Sequence, residues 1–325
     1  MARSLATLIA AAALTGCGAN GMQGAPLDGA TPQVASGWTS VKVAPHGFEP
    51  CLVARKAGGY AIAYATDKLG DRHVYFTASP DGDRWTPPVA VAKGPLSDEA
   101  PALCEDASGE LHLFFGSNRD ARYAVYEATS TDGQAWSAPE ALSAEIKDDQ
   151  DGNFPSIAPL PSGGLAIAYE TYSGIRFRTR SAKGEWSSGE TVATTAGAPA
   201  LAAGPDGRIT LAYMAYQKLY VRSRSTVGAW TAPTALAGGP CETPALTSDG
   251  QGGLWMVHTQ QTGEFWNLAE RTFTGGRWGE AIALTLGQTD DQAPSALLLP
   301  GAKRAVAWGS SKDGRASGLY FARSQ

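Results

Sequence analysis

The sequence predicts an all-β protein, a six-bladed β-propeller of four-stranded blades closed by its N-terminal strand. Three observations predict it. Trp38, Trp85, Trp136, Trp186, Trp230 and Trp278 recur at intervals of 44 to 51 residues. Pro50, Pro101, Pro155, Pro199, Pro244 and Pro294 recur in the same phase, each just before a short apolar run. Within the units, side chains alternate at period two, as in Ile175-Arg176-Phe177-Arg178-Thr179-Arg180. A period of this length filled with short strands suits one propeller blade.

Residues 1–16 are set apart from the fold. Arg3 precedes an apolar run from Leu5 to Leu14 that is too short to span a bilayer, which reads as a signal peptide. Leu14-Thr15-Gly16-Cys17 resembles the bacterial lipobox, which implies cleavage before Cys17 and lipidation of that cysteine. Gly18 after it leans toward the outer membrane of the cell envelope. Residues 17–32 are rich in Gly, Ala and Pro and read as a flexible tether to a domain of residues 33–325. The formal net charge of −5 would become −6 on loss of Arg3. Such a charge argues against nucleic acid as a partner and leaves the lipid as the route to the membrane.

Each unit then reads alike. A short apolar strand follows the Pro (Cys51 to Ala54, Ala102 to Cys104), then a Gly turn and a second strand (Tyr60 to Tyr64, Leu111 to Phe115, Leu165 to Tyr169). A polar crossing loop leads to a third strand (His73 to Thr77, Ile175 to Arg180). A Gly–Trp turn leads to a fourth (Pro88 to Ala92, Pro139 to Leu142). The last unit stops after a third strand, Leu319 to Arg323, while the first segment, Trp38 to Ala44, looks like a fourth strand. The N-terminal segment is therefore expected to complete the last blade and hide its edge. Cys51, Cys104 and Cys241 read as buried thiols, with a Cys51–Cys104 bridge as the other possibility.

The Gly–Trp turns carry a resemblance. Ser79-Pro80-Asp81-Gly82-Asp83-Arg84-Trp85 and Ser130-Thr131-Asp132-Gly133-Gln134-Ala135-Trp136 look like the short form of the Asp-box, or BNR repeat, of the sialidase-like propellers. The copies ending at Trp186, Trp230 and Trp278 keep Gly and Trp without the Asp. The resemblance covers all six units and implies the propeller fold. It gives Ser79, Asp81, Gly82, Trp85, Ser130, Asp132, Gly133 and Trp136 a structural role in turns remote from the active face. Sialidases also need three substrate-binding Arg, a Tyr–Glu nucleophile pair and an Asp acid. Their first Arg lies in Phe/Tyr-Arg-Ile-Pro, where this chain has Phe48-Glu49-Pro50-Cys51, so no catalytic residue is carried over.

The functional face should be the one opposite those turns, where loops lead into each first strand and cross from second to third strands. It gathers the candidate ligand-binding residues Glu49, Arg72, Glu99, Arg119, Arg122, Asp151, Asn153, Tyr172, Glu242, Trp266 and Asp291. A polar, aromatic-lined mouth suits a sugar. Two of Glu49, Glu99, Asp151, Glu242 and Asp291 could cleave a glycoside if about 5–5.5 Å or 6.5–9.5 Å apart. Their recurrence just before the Pro reads instead as a solvated or loop-closing position. Asp148, Asp149, Asp151 and Asn153 offer oxygens of the kind Ca²⁺ takes, but Phe154 stands where an EF-hand loop needs Gly, so a solvated acidic loop is expected and no metal or cofactor. The expected function is glycan binding without usual sialidase activity. A glycoside hydrolase and a non-catalytic envelope scaffold are the alternatives.

Overall fold

The structure, a computed structural model, describes residues 31–325 apart from 70, 93, 95, 143–151, 237 and 313–314. The signal peptide, Cys17 and nearly all the tether therefore lie outside the described residues, as do Asp148, Asp149 and Asp151.

Six antiparallel sheets surround one axis. Blade 1 runs outward as Phe48–Ala54, Tyr60–Leu69, Asp71–Ser79 and Val89–Ala92. Blade 2 is Asp98–Glu105, Leu111–Ser117, Ala124–Ser130 and Glu140–Ala141. Blade 3 is Asn153–Pro159, Leu165–Thr171, Gly174–Arg180 and Glu190–Thr194. Blade 4 is Gly197–Ala203, Ile209–Ala215, Lys218–Arg224 and Thr234–Ala235. Blade 5 is Cys241–Ser248, Leu254–Thr262 and Phe265–Thr274, with its outer edge split into Arg277–Trp278 and Ile282–Ala283. Blade 6 is Asp290–Leu299, Lys303–Lys312 and Arg315–Ser324, and its fourth strand is Trp38–Ala44 from the chain's start. That strand pairs from Trp38 opposite Ser324 to Ala44 opposite Leu319. Without it, the half-unit at each end would expose a ladder of unpaired N–H and C=O groups.

The core lies between blades rather than at the axis. Alternation sends successive side chains to opposite neighbours: Leu52 joins the cluster shared with blade 6, while Cys51 and Val53 join the one shared with blade 2. Each first strand packs on that of the next blade, and Asp290–Leu299 packs on Phe48–Ala54 to close the ring. The first strands' inner edges have no strand partner, and side chains of the preceding blade supply some of the missing acceptors. Ser295 Oγ takes Leu52 N–H at 2.9 Å, Ser156 Oγ takes Leu201 N–H at 2.9 Å and Cys51 Sγ takes Leu103 N–H at 3.1 Å. Cys51, Cys104 and Cys241 are free thiols.

The proline series marks a feature that spacing did not disclose. Each first strand breaks register at its Pro, and the residue before it is left-handed: Glu49 (φ 50°), Ala100 (50°), Phe154 (48°), Ala198 (50°), Thr243 (36°) and Ala293 (49°). The residue before Pro is pushed out of the right-handed helical region, and the bulge takes up the extra residue.

The two full Asp-boxes are built as expected. Ser79 Oγ accepts Gly82 N–H at 2.7 Å, and Asp81 Oδ1 accepts Asp83 and Arg84 N–H at 2.9 and 3.1 Å. Ser130 and Asp132 repeat the pattern, with Gly133, Gln134 and Ala135 N–H at 2.9, 2.7 and 2.9 Å. Those donors hold both carboxyls below the ordinary Asp value. Each box Trp then packs on the preceding blade, Trp85 on Phe321 (5.4 Å) and Trp136 on Phe76 (5.5 Å). Where the Asp is lost, backbone pairing closes the turn, as Ser181 N–H to Glu185 O and Ser225 N–H to Ala229 O, both 2.9 Å.

Candidate functional site

The face opposite the Asp-boxes brings four of the expected residues into one cluster. Arg72, at the start of blade 1's third strand, donates to Glu99 Oε2 and lies over the Phe48 ring at 5.1 Å. Asn153 Nδ2, from blade 3, donates to Glu99 Oε1 at 2.7 Å. Glu49 Oε2, from blade 1, accepts the Ala100 N–H that the blade 2 bulge frees, at 2.9 Å. Three blades are thus tied together at the mouth. Gly116, paired with Glu99 across the strands, makes room for this: a Cβ there would stand 1.7 Å from Asn153 Oδ1.

Burial and charge give the two carboxylates different characters. Glu99 is 4% exposed, and Arg72 and Asn153 engage both of its oxygens. The Tyr123 hydroxyl also donates to it; burial, then the Glu99 charge and that bond, push the Tyr123 phenol above its ordinary value. Burial opposes the Arg72 cation, but Glu49 and Glu99 outweigh it and raise its pKa. Glu49 has the opposite balance. Enclosure of its carboxyl, then the Glu99 charge, push it up to about 7 against the pull of Arg72 and Ala100 N–H.

Arg119 forms a second, adjoining unit. It donates to Asp98 Oδ1 at 2.7 Å and stacks over Tyr126 at 4.8 Å, with Asp98 fully buried. Arg122, on the same loop, is exposed. Tyr172 and Tyr216 open the equivalent two-residue turns of blades 3 and 4 and are 60% and 61% exposed. Trp266, half-buried just after the corresponding turn of blade 5, donates its backbone N–H to Asp290 Oδ1 at 3.0 Å. Glu242 is half-buried in blade 5, and burial raises its pKa. Asp291 is withdrawn beneath the surface, 0% exposed, with Thr289 Oγ1 and Trp308 Nε1 donating to Oδ1 at 3.2 and 3.1 Å. Burial lifts it to about 6. Asp151 lies outside the described residues.

The expected equivalence of these carboxylates does not hold. Glu49 stands one residue before its Pro, Glu99 and Glu242 two, and Asp291 three. Across a strand with a bulge, each step re-aims the side chain, so the three offsets face different surroundings. The sequence places Asp98 and Tyr216 in loops of this face without singling them out, and it passes over Tyr123 and Glu170. Glu170 Oε2 accepts Ala198 N–H at 3.2 Å, repeating in blades 3 and 4 the Glu49–Ala100 tie, and burial pushes it up to about 7. The available signal was Gly197, where a Cβ would stand 2.5 Å from Glu170 Oε2.

The axis is a channel of about 490 Å³, its mouth ringed by the six bulge prolines. On the opposite face Asp106, Glu110 and His112 place ligand atoms within 4.8 Å of one another. Asp106 and His112 have partners within the protein: Asp106 Oδ1 takes Ser108 and Glu110 N–H, and His112 Nδ1 meets Glu127 Oε1 at 2.8 Å.

No protein-family profile and no curated protein matches the sequence. Solved structures do match its backbone. A protein of unknown function from Dyadobacter fermentans aligns with TM-score 0.72 and 14% identity over 89% of this chain and 99% of that one. The leech intramolecular trans-sialidase complexed with 2,7-anhydro-Neu5Ac aligns at 0.68 and 12%, over 92% and 70%. The Penicillium chrysogenum α-L-arabinanase complexed with arabinobiose aligns at 0.63 and 13%, over 88% and 97%. The chain has the sialidase-type propeller fold. That fold hosts sialidases and an arabinanase alike, so chemistry must be read from the mouth and not from the backbone.

Proposed function

We propose that this sialidase-type propeller binds glycans at its mouth. The observation that carries the reading is the Glu49–Arg72–Glu99–Asn153 cluster, held on strands at the face that also carries the exposed Tyr172 and Tyr216. Oriented oxygen acceptors serve sugar hydroxyls, and exposed rings serve the apolar face of a pyranose or furanose. The test is a glycan array probed with the full-length chain and with Tyr172→Ala/Tyr216→Ala. Binding that the double variant loses while its unfolding transition is unchanged supports the reading. Binding untouched by the double variant, or no binding to any glycan, refutes it.

One observation favours a second reading, glycoside hydrolysis. Glu49, raised to about 7, is protonated in part at neutral pH, whereas Glu99 is paired with Arg72. Two neighbouring carboxyls in different surroundings, one of them raised by burial, are the asymmetry that glycoside cleavage uses. Release of fluorophore from a panel of fluorogenic glycosides, abolished in Glu49→Gln, would establish it. No turnover by the wild type on any member of the panel would end it.

Residues 1–17 extend the proposal to location, an envelope lipoprotein anchored through Cys17. Incorporation of an alkyne-tagged fatty acid that Cys17→Ser abolishes supports this, and equal labelling of both refutes it.

A further inference from the structure

We propose that the mouth selects sugars carrying no negative charge, so that sialic and uronic acids are poor ligands of this chain. The inference rests on the glycan reading above and deepens it.

The argument is one of charge already spent. A site for an acidic sugar needs a cation that can turn to the ligand. Over blades 1 to 3 the two built guanidinium groups are committed within the protein. Arg72 is held by Glu99, which is 4% exposed, with the Glu49 carboxyl alongside. Arg119 is held by Asp98 at 2.7 Å; Asp98 is 0% exposed, and its other oxygen takes Gly94 N–H at 2.7 Å. A ligand carboxylate at either Arg would share its cation with a buried carboxylate that already offsets the charge. Arg122 and Lys218 sit exposed at the rim, where a solvated ion pair contributes little.

Acceptors, by contrast, are in surplus. Among the described residues, neither Glu170 nor Glu242 is in an ion pair, and Glu49 shares Arg72 with Glu99. Burial without a full counter-charge lifts Glu49 and Glu170 to about 7. Carboxylate oxygens accept the O–H donors that every neutral sugar presents, and an amino sugar adds N–H donors. A ligand carboxylate would meet the ionised fraction of these groups as like charge, or bind only as they take up a proton. Among the described residues of blades 1 to 3, the sialidase-type backbone is therefore retained with the built cations of the mouth already offset.

The experiment titrates the full-length chain, in mild detergent, against matched pairs that differ only in the acid: lactose with 3′-sialyllactose, and neutral oligosaccharides with their uronic counterparts. A glycan array supplies the wider set. The expected result is binding of neutral or amino sugars at least about tenfold tighter than their acidic partners, a gap of 1.4 kcal/mol. Acidic sugars bound equally or more tightly overturn the inference and leave the glycan reading standing. No binding across the whole set overturns both. Glu99→Gln gives a second measurement, because it frees the Arg72 guanidinium. The ratio of acidic to neutral affinity should rise at least about fivefold in that variant, and an unchanged ratio in a folded variant would count against the inference. If Glu99→Gln does not fold, the wild-type ratios decide alone.

Discussion

Gly133→Ala separates two costs that the Asp-box turn holds together. Gly133 has φ 74°, and a Cβ there would stand 2.5 Å from Phe76 Cε1 and 2.9 Å from Cζ. Phe76 is 1% exposed and packs edge-on against Trp136 at 5.5 Å, so it has no free direction in which to yield. The left-handed backbone costs an L-residue about 1–2 kcal/mol. Forcing a buried ring aside in a filled core costs about 1–3 kcal/mol more. Gly133→Ala should therefore destabilise by about 2–5 kcal/mol. The protein contains its own control. Gly184 occupies the same place in a degenerate copy with φ 87°, and nothing lies within 4 Å of its would-be Cβ. Gly184→Ala should cost only the backbone share, about 1–2 kcal/mol. Urea titrations of both variants and the wild type, followed by tryptophan fluorescence, measure the difference. Equal losses at the two sites would refute the Phe76 clash as the reason the full boxes need glycine.

Other outcomes follow from the same structure. Ser130→Ala leaves the buried Gly133 N–H without its acceptor and should cost about 1–3 kcal/mol in the same titration. Glu49 and Glu170 have folded-state pKa values raised to about 7, so the native state binds more protons than the unfolded chain between the ordinary carboxyl value and 7. Stability should therefore be greatest below that window and fall as pH rises through it. Glu49→Gln/Glu170→Gln should flatten the fall in urea midpoint between pH 5 and pH 8, and an unchanged slope would contradict the assignment. Tyr172→Ala/Tyr216→Ala should shift stability by no more than about 0.5 kcal/mol, since both rings are exposed. Deleting residues 33–44 should uncover the edge of Arg315–Ser324 and produce concentration-dependent aggregation in light scattering.

Much of the architecture was legible because a repeat is written in local terms. Turn chemistry and period-two alternation act within a few residues, and both recur in every unit. The closure by Trp38–Ala44 was legible too, since a missing fourth strand at one end matched a surplus one at the other. The site was legible only as a face. Glu49, Arg72, Glu99 and Asn153 were each on the candidate list, yet nothing linear marked them as one cluster while Asp291 withdrew into the core. Tyr123 and Glu170 were missed, and Asp98 was seen only as part of a loop, because a residue at a strand end looks alike whether it faces solvent, a neighbouring blade or a buried arginine.

By itself, then, the sequence determined the blade count, the turn residues that need left-handed glycine, and the face on which loops converge. These depend on contacts between residues close in the chain, or on a repeat that makes distant ones equivalent. Only the tertiary structure decided which of the mouth carboxylates are buried and which tie blades together. It also decided that Arg72 and Arg119 are already neutralised, and that Glu49 and Glu170 are enclosed without a full counter-charge. Burial and pairing are properties of neighbours 20 to 50 residues away in sequence, and no local pattern records which neighbour a charge will meet.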